Sequence, residues 1–131
     1  MTTYLVDNSI WRRAGASAAI ARRLREISPH DLLLTCPPQV LDYCRVARSA
    51  AEYTELRADM DGLRAAWHHP TEADALDIQQ ALGARTAESA ACCLIAAYGV
   101  VNDAVVLNAD RTFGSIEIAT RGAARQEFIA A

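Results

Sequence analysis

The sequence predicts an α/β fold, a short parallel sheet with helices on its faces. Three observations lead there. Short apolar runs at residues 3–6, 32–35 and 104–107 alternate with longer segments of helical character, the pattern of strands joined by crossover helices. Two of those runs break off at an acid: Asp7 follows Tyr4-Leu5-Val6, and Asp110 follows Val105-Val106-Leu107-Asn108-Ala109. Finally, 131 residues with 52% hydrophobic content suit one domain, residues 1–131, around a single core.

Residues 3–6 form the first strand. A helix follows over 9–27, with Gly15 as a point of interruption. Ser28-Pro29-His30-Asp31 is a turn, and residues 32–35 are the second strand. Pro37 and Pro38 lead into a helix's first turn, where a missing N–H costs little, and that helix carries 40–47. Ser49 with Glu52 three residues on reads as a capping box for a helix reaching residue 66. His68-His69-Pro70 ends that element. Thr71 starts the next helix, which runs to Leu82 and is closed by Gly83. An alanine-rich helix covers 86–98 and stops at Gly99. Residues 104–107 are a buried strand, 110–115 a turn or short helix, and 127–129 an edge strand.

No apolar run approaches the roughly 20 residues needed to span a bilayer. No basic segment followed by a long apolar one opens the chain, so a cytoplasmic protein without membrane contact is expected. The net charge of −3 gives no general reason for nucleic-acid binding, but its distribution is uneven. All 13 basic residues are arginine, and Arg12, Arg13, Arg22, Arg23 and Arg25 occur between Asn8 and Arg25 without one acid. Such a cluster is either a solvated helix face or a rim that receives phosphates. The four cysteines, Cys36, Cys44, Cys92 and Cys93, form no Cys-x-x-Cys pair and read as small buried hydrophobes.

In parallel sheets, ligands gather beyond the carboxyl ends of the strands, where Asp7 and Asp110 both fall. Clustered carboxylates repel one another unless a cation neutralises them, and hard oxygen ligands favour magnesium or manganese. Such a cation can activate a water against a phosphodiester. The plainer alternative is that both acids are ordinary strand-end residues or helix caps. Spacing alone leaves the two open.

Several segments resemble PIN domains, specifically the VapC-type toxins of bacterial toxin–antitoxin pairs. Leu5-Val6-Asp7-Asn8-Ser9-Ile10-Trp11 looks like that family's opening strand. The segment from Pro37 to Arg48, with Asp42 six residues before the arginine of Ala47-Arg48, is similar to its second acidic segment. Val106 to Phe113, with Asp110, is similar to its late one. The likeness covers nearly the whole length. It implies a three-layer α/β/α sandwich with a short central parallel sheet, and a metal-dependent endoribonuclease using Mg2+ or Mn2+. It also implies a homodimer and neutralisation by a small antitoxin protein. Carried over by position, Asp7, Asp42 and Asp110 would be catalytic metal ligands converging on one rim. Ser9 would orient Asp7, and Arg12 and Arg13 would hold the RNA backbone.

Two positions depart from the family pattern. Asp42 stands where glutamate is usual, one methylene shorter. Cys92 stands where an aspartate usually precedes the Leu-Ile-Ala-Ala run, and soft sulfur ligates magnesium poorly. Glu88, one helical turn earlier, is a candidate substitute. These departures open a second reading, a catalytically impaired PIN domain that acts as an RNA- or antitoxin-binding module. A phosphotransfer or phosphatase domain with Asp7 as nucleophile is the least supported, because the chain lacks lysine.

Overall fold

Alternation along the strands decides which residues enter which half of the core. The structure, a computed structural model, describes residues 1–27, 29–83 and 90–131. Strand β1 (Thr3–Val6) pairs on one edge with β2 (Leu32–Thr35) and on the other with β4 (Val105–Asn108). β3 (Arg64–Ala65) joins β2, and β5 (Gln126–Phe128) joins β4. The sheet is parallel throughout, in the order β3-β2-β1-β4-β5.

Leu5, Leu34 and Val106 point to one face and pack with Ile78, Ile95, Phe113 and Ile116. Those partners come from helices α5 (Glu72–Leu82), α6 (Ala90–Val101) and α7 (Thr112–Ala119). Tyr4, Val6 and Leu107 point to the other face and meet Ile10 of α1 (Asn8–Trp11) and Ile20 and Ile27 of α2 (Ala18–Ile27). A one-residue slip of any central strand would exchange these faces, so burial fixes the register. The arrangement is the expected α/β/α sandwich. No helix among the described residues is long and apolar enough to cross a membrane.

Several boundaries differ from expectation, each for a local reason. The helix foreseen over 9–27 is interrupted around Gly15, as expected, but the gap is wide enough to leave two separate helices. The Arg13 carbonyl accepts from the amides of Ala16 and Ser17 in a turn, and Ser17 Oγ then accepts from the Ile20 amide at the start of α2. The break lets Ile10 and Ile20 both become fully buried (0% exposed). A continuous helix would set residues ten apart roughly 80° from each other. α3 (Pro37–Cys44) starts earlier than foreseen and ends earlier. α4 (Ala50–Asp61) stops well short of residue 66, because Arg64 and Ala65 pair with β2 as an exposed two-residue strand.

Ser49 Oγ accepts from the Glu52 amide, but the reciprocal capping box stands at Thr71 and Asp74. α6 does not stop at Gly99. A Cβ there would lie 3.0 Å from Val106 Cγ2, so the missing side chain lets the helix lie directly on β4. The turn comes later, at Asp103, with φ of 51°. Residues 110–115 belong mostly to the longer α7.

Candidate functional site

Asp7 and Asp110 sit past the carboxyl ends of adjacent strands, and backbone bonds tie those ends together. The Asp7 amide donates to the Leu107 carbonyl at 3.0 Å, carrying the β1–β4 ladder one residue further. Asp7, 8% exposed, caps α1 by accepting from the Ser9 amide at 3.0 Å. The Ser9 hydroxyl accepts from the Ala109 amide at 2.9 Å. Ser9 therefore meets Asp7 through its backbone, while its hydroxyl stitches α1 to the segment that carries Asp110. Asp110 accepts from the Thr112 amide at 3.0 Å, and its own amide donates to Asn108 Oδ1 at 3.2 Å. Asn108, fully buried, in turn donates to Gln126 and to the carbonyls of Val106 and Glu127.

Asp42 comes to the same edge from α3. Its oxygens accept from Arg12 Nη2 at 2.6 Å, Arg45 Nε at 2.7 Å and Asn8 Nδ2 at 2.9 Å. Asn8 directly follows Asp7 and is itself held by the buried Gln39, whose Nε2 donates to Asn8 Oδ1 at 2.7 Å. Burial pushes against the Asp42 charge. The bonds from Arg45, Asn8 and Arg12 outweigh it and hold the carboxyl below its ordinary value. Neither Asn8 nor Gln39 stands out in the sequence, although Asn8's place beside Asp7 is the one signal that could have drawn notice.

Cys92 lies beside Asp110 and within the electrostatic reach of Asp7. Its Sγ–H donates to Asp110 Oδ2 at 3.6 Å. Burial first, then the charges of Asp110 and Asp7, push the thiol's pKa up. A thiol kept protonated in this way is a poor ligand for a hard cation. Glu88 lies outside the described residues. Among the described residues, no three His, Cys, Asp or Glu side chains are arranged to hold a metal ion. The donors present do not fit magnesium as a three-carboxylate set: Asp42 is committed to two guanidinium groups, and position 92 supplies sulfur.

Beside Asp110 opens a recess of about 490 Å³ lined by Ser9, Arg12, Arg13, Ala109, Asp110 and Arg111. Arg111 went unnoticed in the sequence, although it directly follows Asp110. Its guanidinium stacks on Phe128 at 4.7 Å from the ring centre. The other clustered arginines are not alike: Arg23 pairs with Glu127 at 2.7 Å and buttresses the sheet instead. Past the ends of β2 and β3, where Thr35, Cys36, Ala65 and Ala66 form its floor, a larger groove of about 900 Å³ runs between α3 and α4. Val40, Leu41, Tyr53 and Met60 line it, together with Arg45, Arg48 and Arg57. Neighbouring His69 is more than a solvated turn residue, since its Nδ1 lies 2.8 Å from the Tyr98 hydroxyl.

No family model and no curated protein sequence matches the chain. Among solved structures, the chain is similar to one from the crystal structure of VapBC2 from Rickettsia felis bound to a DNA fragment from their promoter. The superposition has a TM-score of 0.64 over 97% of this chain and 98% of that one, at 10% sequence identity. The five-stranded sandwich is thus a PIN/VapC-like fold.

Proposed function

We propose that this chain is a PIN-type protein of a toxin–antitoxin pair that binds RNA at its strand-end rim and a small antitoxin in the α3–α4 groove, with an acidic site impaired for metal-dependent cleavage. One observation carries the impairment: both oxygens of Asp42 are engaged by Arg12, Arg45 and Asn8 rather than turned to a cation shared with Asp7 and Asp110. Arginines beside the strand ends supply the positive wall that a polyanion needs. The groove combines apolar walls with Arg48, whose charge is not matched by an ion pair among the described residues, beside the paired Arg45 and Arg57. This suits an amphipathic segment that brings an acid to Arg48. Its fold neighbour, taken from a VapBC2 complex, supports the antitoxin part of the reading. A homodimer belongs to the same reading and is checked by analytical ultracentrifugation.

Incubating labelled RNA with the protein, with and without magnesium or manganese, tests the proposal. The expected result is binding without cleavage by the parent, and metal-dependent cleavage gained only when Cys92→Asp is combined with Arg12→Ala. Robust parental cleavage that disappears in Asp7→Asn would overturn the impairment. It would favour the second reading, a working Mg2+- or Mn2+-dependent endoribonuclease of the VapC type. That reading draws on the juxtaposition of Asp7 and Asp110 at adjacent strand ends.

A further inference from the structure

We infer that Arg12 is a two-position residue: it neutralises Asp42 in the free chain and moves to a phosphate group held by Arg13 and Arg111 when a single-stranded RNA backbone enters the recess beside Asp110. The inference rests on the RNA-binding part of the proposed function and adds to it a ligand subsite, a new residue and a linkage.

Three features of the recess point to a phosphate. First, among the described residues neither Arg13 nor Arg111 pairs with a carboxylate. Among the described residues, the one side-chain hydrogen bond of Arg13 runs from Nη1 to the Ser9 carbonyl at 3.2 Å, which anchors it beside the recess and leaves further N–H groups for a ligand. Second, Arg111 is held through its face by Phe128, so the planar group is oriented while its N–H edge remains available to an oxyanion. Third, the acidic wall is already attenuated, because the Asp110 carboxylate accepts from the Thr112 amide and the Cys92 thiol. With Arg12 balanced by Asp42, Arg13 and Arg111 against one such carboxylate still leave the recess positive.

Arg12 lies between two claims. It lines the recess, yet its Nη2 donates to Asp42 Oδ2 at 2.6 Å. That ion pair is partly solvated, with 45% of the Arg12 side chain and 38% of the Asp42 side chain exposed. Exposed pairs are weak and easily exchanged. Asp42 would not be stranded by the exchange, since Arg45 Nε and Asn8 Nδ2 still serve it. A phosphate in the recess therefore competes for Arg12 against a carboxylate that can spare it. Phosphate binding and exposure of one Asp42 oxygen are then linked, each favouring the other.

Two probes test this without metal, in EDTA: fluorescence anisotropy of a labelled single-stranded RNA, and inorganic phosphate titrated into the protein while the arginine side-chain N–H signals are followed by NMR. The expected result is that Arg13→Ala and Arg111→Ala each weaken RNA binding by about tenfold and lower the salt dependence by roughly one phosphate contact. Free phosphate shifts the Arg12, Arg13 and Arg111 signals. Asp42→Asn tightens RNA binding severalfold in the parent but not in the Arg12→Ala background. Equal tightening in both backgrounds would mean a general charge effect and would overturn the exchange. Parental RNA binding untouched by Arg13→Ala and Arg111→Ala would overturn the subsite while leaving the RNA reading intact. Phosphate shifts without any RNA binding would do the reverse, and silence in both assays would remove both.

Discussion

Arg12 Nη2 and Asp42 Oδ2 lie 2.6 Å apart across thirty residues of sequence, and this contact closes the junction between α1 and α3. The acid that the family resemblance assigns to a metal is instead matched by an internal cation, with Arg45 as a second.

Removing that internal cation and returning an acid to position 92 should create a magnesium site. Calorimetric titration of Arg12→Ala/Cys92→Asp should give a saturable isotherm, on the order of 10–100-fold tighter than the parent's, and Asp7→Ala should abolish it. A parental isotherm of equal strength would show that these two residues do not govern the donor set.

The Asp42 cluster also leaves a mark on acid stability. The folded protein holds this carboxyl below its ordinary value of 3.8, because the bonds from Arg45, Asn8 and Arg12 outweigh burial. Its contribution is therefore present in full above pH 3.8 and is lost as the pH falls through the lower folded value. Solvent screens the group, so the effect is modest. Acid unfolding followed by circular dichroism should separate parent and Asp42→Asn above that pH and bring them together below it. Parallel curves throughout would contradict the assignment.

Asn102 is the strongest structural polar residue away from the site. Its Oδ1 accepts from the amides of Trp67 and His68, and its Nδ2 donates to the carbonyls of His68 and Tyr98. Asn102→Ala strands three backbone groups, the amides of Trp67 and His68 and the His68 carbonyl, while the Tyr98 carbonyl keeps the residue-102 amide. The expected loss is about 2–4 kcal/mol, read as a lower denaturant midpoint with unchanged slope. A loss below about 0.5 kcal/mol would mean that water serves all three groups.

Gly99→Ala should destabilise by about 1–2 kcal/mol, although alanine is the better helix former by about 1 kcal/mol. The new methyl meets Val106 Cγ2 at 3.0 Å, and Val106 is buried in a central strand with little room to retreat. Adding Val106→Ala should recover part of the loss beyond what two independent changes predict. A stabilised Gly99→Ala protein would show that the sheet yields.

The strands of the sheet's centre were legible because they carry their own signature: Leu5, Leu34, Val106 and Leu107 lie in short apolar runs that no helix period explains. β3 was not, because Arg64 and Ala65 are both exposed and owe their conformation to β2 alone. In the 9–27 segment Gly15 marked the interruption, whereas the width of the gap was not legible, because it answers to burial of Ile10 and Ile20 against the sheet. For the site, strand-end position brought out Asp7 and Asp110, since their acids interrupt apolar runs. The engagement of Asp42 by Arg12 was invisible, because it depends on how α1 and α3 pack and no spacing along the chain encodes that. Arg111 and Asn8 adjoin the two acids, yet an arginine and an asparagine in loops carry no periodic signal.

The strand order described above also bears on how the chain is made. β1 leaves the ribosome before its sheet neighbours, and β2 can cover one edge after some thirty further residues. The other edge must wait for Val105–Asn108, about a hundred residues after β1. Throughout that interval a strand of Thr-Tyr-Leu-Val keeps an open hydrogen-bonding edge, which makes the nascent chain vulnerable to pairing with a neighbour on the same message. Slowing elongation between residues 36 and 104 should lower the soluble yield more than the same delay after residue 108.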